Sequence, residues 1–149
     1  MTPTLDPQQL AEQVRALMLE NDRATRALGM QVTAIGPGRA TVTMTVRADM
    51  LNGHATCHGG MITTLADSAF AFACNAGNEL TVASGVTIDF VAPGREGDVL
   101  TAQAREVQQA GRTGVYDVDV HNQRGELVAV FRGRSYRMKG KPAVDLPSA

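Results

Sequence analysis

The chain has 149 residues, enough for one domain with a sizeable core and too few for two ordinary ones. Its 44% hydrophobic and 19% charged residues belong to a globular protein and exclude a disordered or fibrous one. A formal net charge of −1 removes the electrostatic argument for nucleic acid, and no apolar run reaches the length of a membrane span.

With no apolar leader and only two cysteines, Cys57 and Cys74, the expected setting is the reducing cytoplasm, without a disulfide framework. A single domain over 1–149 is expected, with loose tails at 1–6 and 139–149. Asp6 and Pro7 form a helix start. The spacing of Leu10, Val14, Leu17 and Met18 predicts a helix over 7–26, which Gly29 stops.

Extended patterns follow at 30–35 and 40–46, joined by Gly36, Pro37 and Gly38 as a hairpin turn. In the second, Val42, Met44 and Val46 alternate with Thr41, Thr43 and Thr45. A glycine-bearing loop then leads into a long helix over 60–75. Ile62, Leu65, Ala66, Ala69, Phe70 and Ala73 make its apolar stripe. The opposite flank holds Thr63, Thr64, Ala71 and Cys74, mostly small, so the helix is expected to be covered on most sides. Asp67 sits on that flank, where a carboxylate must be paired, hydrated or used. Four further strands fit 82–91, 98–107, 114–122 and 126–137. This order predicts an α+β fold in which one antiparallel sheet wraps one buried helix. One helix covers only part of six strands, so an oligomer is expected.

The loop and helix read N-G-H-x-x-C-H-G-G from Asn52, then L-A-D-S-A-F-A-F-A-C-N, then T-I-D-F-x-x-P-G-x-x-G-D from Thr87. G-R-T-G-V-Y-D-V and A-V-F-R-G-R-S follow. Over roughly residues 15–138 the chain resembles the hotdog-fold acyl-CoA thioesterases of the phenylacetic acid degradation (PaaI) type. H-G-G with an acid nine residues after its histidine is the specific part. The resemblance implies a long central helix wrapped by a curved sheet, dimers with joined sheets usually paired into homotetramers, and active sites at the dimer interface. It implies hydrolysis of acyl-CoA, with phenylacetyl or ring-hydroxylated phenylacetyl as the acyl group. Coenzyme A is then part of the substrate and no separate cofactor is expected.

Carried over by residue, the resemblance makes Asp67 the nucleophile or general base and the Gly59 and Gly60 amides the oxyanion donors. His58 and Asn52 become positioning groups, and Asn21 a further polar candidate. The chemistry is consistent: a helix start offers unpaired N–H groups and a positive dipole end. Asp67 lies about 10 Å further along the axis, which separates the two functions within one chain. Each residue also has a structural reading: a bonded carboxylate, a loop-shaping glycine pair, a loop histidine, an Asn-Gly turn, a helix end.

Arg95, Arg112 and Arg134, with Lys139, are candidates for the coenzyme phosphates, though surface arginines are usually only solvated. Met61, Leu65, Phe70 and Phe72 are candidates for the acyl pocket or the core. His54, Cys57, His58 and Cys74 invite a metal reading, but structural zinc sites show two separated ligand pairs, so no metal is expected. No G-x-S-x-G elbow or P-loop is present in the sequence. Two other functions remain open: a hotdog dehydratase or hydratase, whose proline-containing histidine signature this sequence lacks, and a non-catalytic acyl-CoA binding module.

Overall fold

The computed structural model describes residues 4–148. Asp6 opens helix α1 (Pro7–Asn21) by accepting the N–H groups of Gln8 and Gln9, each at 2.9 Å. The expected single helix over 7–26 is broken at Asp22. That residue leaves helical geometry (φ −87°, ψ 88°) and starts a second helix, α2 (Arg23–Ala27), by accepting the Thr25 N–H at 3.0 Å. The break follows from an N-capping residue inside a helical pattern.

Six strands follow: β1 (Gln31–Gly36), β2 (Arg39–Thr45), β3 (Thr81–Phe90), β4 (Val99–Ala110), β5 (Thr113–His121) and β6 (Leu127–Arg137). Between β2 and β3 runs α3 (Gly59–Asn75). The strands form one antiparallel sheet in the order β1-β2-β4-β5-β6-β3. α3 lies across its concave face, mainly against β2, β4 and β5. β4 runs three residues past the expected end, because a bulge near Glu106 keeps Gln108, Gln109 and Ala110 paired with β5.

The core lies between α3 and the sheet. Leu65, Ala66, Ala69 and Phe72 of the helix meet Val42, Met44, Leu100, Val118 and Val120. Phe70 packs between Tyr116 and Phe131, with ring centroids 5.5 and 5.9 Å away. Its ring presses onto β6, where a Cβ at position 133 would lie 2.8 Å from it, so only glycine fits. Of the two readings open to Phe70, Phe72 and Leu65, acyl pocket or core, their full burial in the chain fits the core.

The second face of the sheet is polar, as the threonines and charges suggest. On it Asp117 receives Arg132 twice, at 2.7 and 2.9 Å, which holds its carboxyl below the usual range. β3 forms an edge of the sheet and leaves Val82, Val86 and Phe90 exposed. Part of the expected loose tail, residues 141–144, is tied to the body of the chain. Leu80 N–H donates to Lys141 at 2.8 Å, and the Val144 N–H reaches the Asn78 side chain at 2.9 Å. Among the described residues no helix is long and apolar enough to cross a membrane.

Candidate active site

The site starts with a loop that folds on itself. Asn52 Oδ1 accepts the N–H groups of His54 at 2.9 Å and Thr56 at 3.2 Å, and its Nδ2 donates to the Thr56 hydroxyl at 3.0 Å. Most of the hydrogen-bonding capacity of Asn52 is therefore used inside the loop. Cys57 N–H donates to the Gly94 carbonyl at 2.7 Å and His58 N–H to that of Met50 at 2.8 Å, which fixes the start of α3 against the segments around residues 50 and 94.

His58 is the N-cap of α3, and its Nδ1 accepts the Gly60 N–H at 2.9 Å. This changes the expected oxyanion pair. The Gly60 donor is engaged, while the Gly59 N–H has no partner among the described residues. Gly59 thus carries the open donor at the start of α3. A groove of about 410 Å³ opens beside it, lined by Asn52, Thr56, Gly59, Ile62, Phe90 and Pro93 among others.

Asp67 lies two turns further along α3. It is exposed on the surface of the single chain, not enclosed as its apolar helix suggests, because the sheet covers only the opposite stripe. It makes no hydrogen bond or ion pair among the described residues, and partial burial raises its pKa above the usual carboxylate range. A desolvated carboxyl without a fixed partner is suited to accept a proton or to attack a carbonyl.

Next to Asp67, Ser68 connects α3 to the amino-terminal helices. Its hydroxyl lies 3.3 Å from that of Thr25, which in turn donates to Asp22 at 2.8 Å. Thr25 is almost fully buried. Asn21 precedes this link, exposed at the end of α1. It borders a small groove with Leu17, Glu20 and the tail residues Val144 and Asp145, and no hydrogen bond joins it to Gly59, Gly60 or Asp67.

The three arginines do not converge. Arg95 follows Gly94, whose carbonyl holds Cys57, so it stands near the start of α3. Arg112 is in the β4–β5 turn, and Arg134 lies on the outer face beside the β3 bulge with Ser84 and Gln108. Cys57 precedes α3 and Cys74 ends it, roughly 22 Å apart along the axis. Both are buried and unpaired, and burial pushes the Cys74 thiol up to about 12. The four residues of the metal reading therefore cannot share one ion.

Two features escape sequence reading. Phe90, one residue of the apolar run expected as a strand over 82–91, lines the groove. The Asp22–Thr25–Ser68 link carries a legible signal only in its first half, the capping spacing of Asp22 and Thr25.

A six-stranded antiparallel sheet around one central helix, with an unpaired amide at the helix start and an unpartnered carboxyl at its middle, is the hotdog architecture with a hydrolase-like site. The thioesterase superfamily model matches residues 54–129, and the chain belongs to that family. It is 52% identical over 123 residues to the acyl-coenzyme A thioesterase PaaI of Escherichia coli, covering 83% of this chain and 88% of that protein. The structure of the E. coli PaaI protein from the phenylacetic acid degradation operon superposes with a TM-score of 0.89 at 48% identity, over 91% of this chain and 99% of that one. A hypothetical thioesterase from Streptococcus pneumoniae, solved with coenzyme A, gives a TM-score of 0.72 at 27% identity, over 75% of this chain and 90% of that one.

Proposed function

We propose that the protein hydrolyses acyl-CoA thioesters to the free acid and coenzyme A, with phenylacetyl-CoA or its ring-hydroxylated forms as substrate. The observation that carries this reading is the pairing of an unengaged Gly59 N–H with an unpartnered Asp67 carboxyl on one helix. The thioester carbonyl oxygen accepts from Gly59, and from Gly60 once His58 releases it. The Asp67 carboxylate either adds to the carbonyl carbon or takes a proton from the water that does. The C–S bond then breaks, and the departing thiolate is protonated to coenzyme A; on the direct route water next hydrolyses the mixed anhydride, which frees the acid and restores the Asp67 carboxylate.

The eight-residue step from Gly59 to Asp67 spans about 12 Å at 1.5 Å per residue. One thioester cannot bridge that distance, so the two functions meet across subunits. We therefore place a second copy along the exposed edge of β3, joining the sheets of a homodimer, and pair dimers into a homotetramer. The long unpaired edge and its exposed Val82 and Val86 support this arrangement. Arg95, closest to the start of α3, is the favoured phosphate contact. Two unpaired thiols suit the cytoplasm.

Thiol release from phenylacetyl-CoA tests the reaction. Loss or gain of enoyl-CoA absorbance without thiol would instead indicate a hydratase or dehydratase, and binding without turnover would indicate an acyl-CoA binding module. Turnover in ¹⁸O-water tests the direct route: label found in Asp67 means that Asp67 attacked and that water opened the anhydride at the aspartyl carbon.

A further inference from the structure

Three of the four phenylalanines, Phe70, Phe72 and Phe131, are at most 3% exposed, whereas Phe90 is 51% exposed. Phe90 ends β3 on the row that faces α3, in register with the buried Ala129. Its ring rests on the first residue of that helix: a Cβ at Gly59 would lie 3.0 Å from the ring tip. The absence of a side chain at position 59 is what allows the ring to stand this close to the Gly59 amide. With Ile62 and Pro93 the ring supplies apolar lining to the groove, whose polar lining includes Asn52 and Thr56.

Two readings compete for the open face of the ring. It is either packed by a second subunit along the β3 edge, or it meets the substrate. The groove decides between them, because Phe90 faces into it beside the one unengaged donor of the helix start, and edge residues Val82 and Val86 are further along the strand.

We propose that Phe90 is the specificity-determining residue for the acyl group, the wall on which the aromatic ring of an arylacetyl thioester packs. This rests on the thioesterase reading and deepens it. When the thioester oxygen sits on the Gly59 N–H, an arylacetyl ring follows one methylene from the carbonyl carbon and so lies beside Phe90. Offset or edge-to-face pairing of two rings rewards an aryl group beyond its buried area, and a straight alkyl chain lacks that reward.

The test uses the full-length protein, with thiol release from phenylacetyl-CoA and hexanoyl-CoA and solution mass by light scattering. Phe90→Leu keeps an apolar side chain and removes the ring. The expected result is a KM for phenylacetyl-CoA raised about tenfold, about 1.4 kcal/mol, with kcat changed less than about twofold. The KM for hexanoyl-CoA rises by a smaller factor, so the preference for phenylacetyl-CoA over hexanoyl-CoA falls severalfold, mass stays that of the wild type, and Phe90→Tyr keeps the phenylacetyl KM near the wild-type value. Equal losses on both thioesters, an unchanged ratio, or a loss that tracks a fall in mass overturns the proposal and makes Phe90 a structural or subunit contact. If Phe90→Leu does not fold, Phe90→Met is read by the same criteria. If the wild type releases thiol from neither substrate, the hydrolase reading itself fails, an outcome visible before any variant is compared.

Discussion

The Nδ1 of His58 accepts the N–H of Gly60 at 2.9 Å, so the histidine of the H-G-G sequence is bonded to the second of its own glycines. The cap therefore occupies one of the two amides proposed as oxyanion donors. His58→Ala is expected to lower stability by about 1 kcal/mol, a fall in melting temperature of roughly 2–4 °C, because an N-cap acceptor is lost. His58→Asn should recover most of that, since asparagine caps well. Turnover of His58→Ala should fall less than that of any Asp67 substitution. Thermal melts and thiol release measured on the same samples check both statements, and an equal fall in turnover would move His58 into the chemistry.

Asp67→Asn should cost about 10²- to 10⁴-fold in kcat, the usual range for a lost acid–base group. Its stability should move the other way. Burial raises the pKa of Asp67, so the folded state binds more protons than the unfolded state between the ordinary carboxylate value and the raised one. Stability conferred by the protonated form is thus lost as pH rises through that window. At neutral pH the amide removes the penalty, and Asp67→Asn should melt no lower than wild type. The same shift predicts an acid limb of kcat/KM above the ordinary range near 3.9. A variant that is inactive because it is unfolded would contradict this account.

The buried Thr25 hydroxyl lies between Asp22 and Ser68. Thr25→Val keeps the shape and removes the bond, and should cost about 1–2 kcal/mol, read as a midpoint shift in urea. Thr25→Ser should cost less than half of that. A silent Thr25→Val would mean that α1 and α2 dock through apolar contacts alone.

Asp98 accepts Gln123 Nε2 at 2.8 Å and the Arg95 N–H at 2.9 Å. These bonds, with Gln123 first, hold its carboxyl below the usual range. Here the sign is opposite to that of Asp67. The stabilisation is full above the ordinary value near 3.9 and disappears as pH falls through the lowered one. Asp98→Asn should therefore be less stable than wild type at pH 7, with the gap closing in strong acid. Urea midpoints across pH measure it, and a gap independent of pH would assign the effect to packing.

Much of the fold was legible in local spacing. The central helix is expected over 60–75 and found over Gly59–Asn75, because a 3.6-residue stripe of six apolar side chains leaves little alternative. Each expected strand overlaps an observed one, since alternation is also local. What was not legible depends on partners far along the chain. β3 pairs with β6 alone, and nothing within β3 marks it as an edge, so its apolar sequence gives no sign that Phe90 stands in the open. The tail reads as loose because its anchors, Asn78 and Leu80, lie about sixty residues earlier. Asp67 was placed correctly on the flank of its helix, but its exposure depends on how far the sheet curls. His58 was expected near the substrate and is found as a helix cap, a position more often filled by shorter side chains.

The uncovered edge of β3 has a consequence for the newly made chain. Ten residues of strand present open backbone donors and acceptors to any extended polypeptide nearby. Left unpaired, that seam invites aggregation, so if the proposed dimer forms there, yield on overexpression should depend on how quickly copies meet. Lysine in place of Val86 would protect solitary chains from one another, and by the same repulsion would keep them from completing each other.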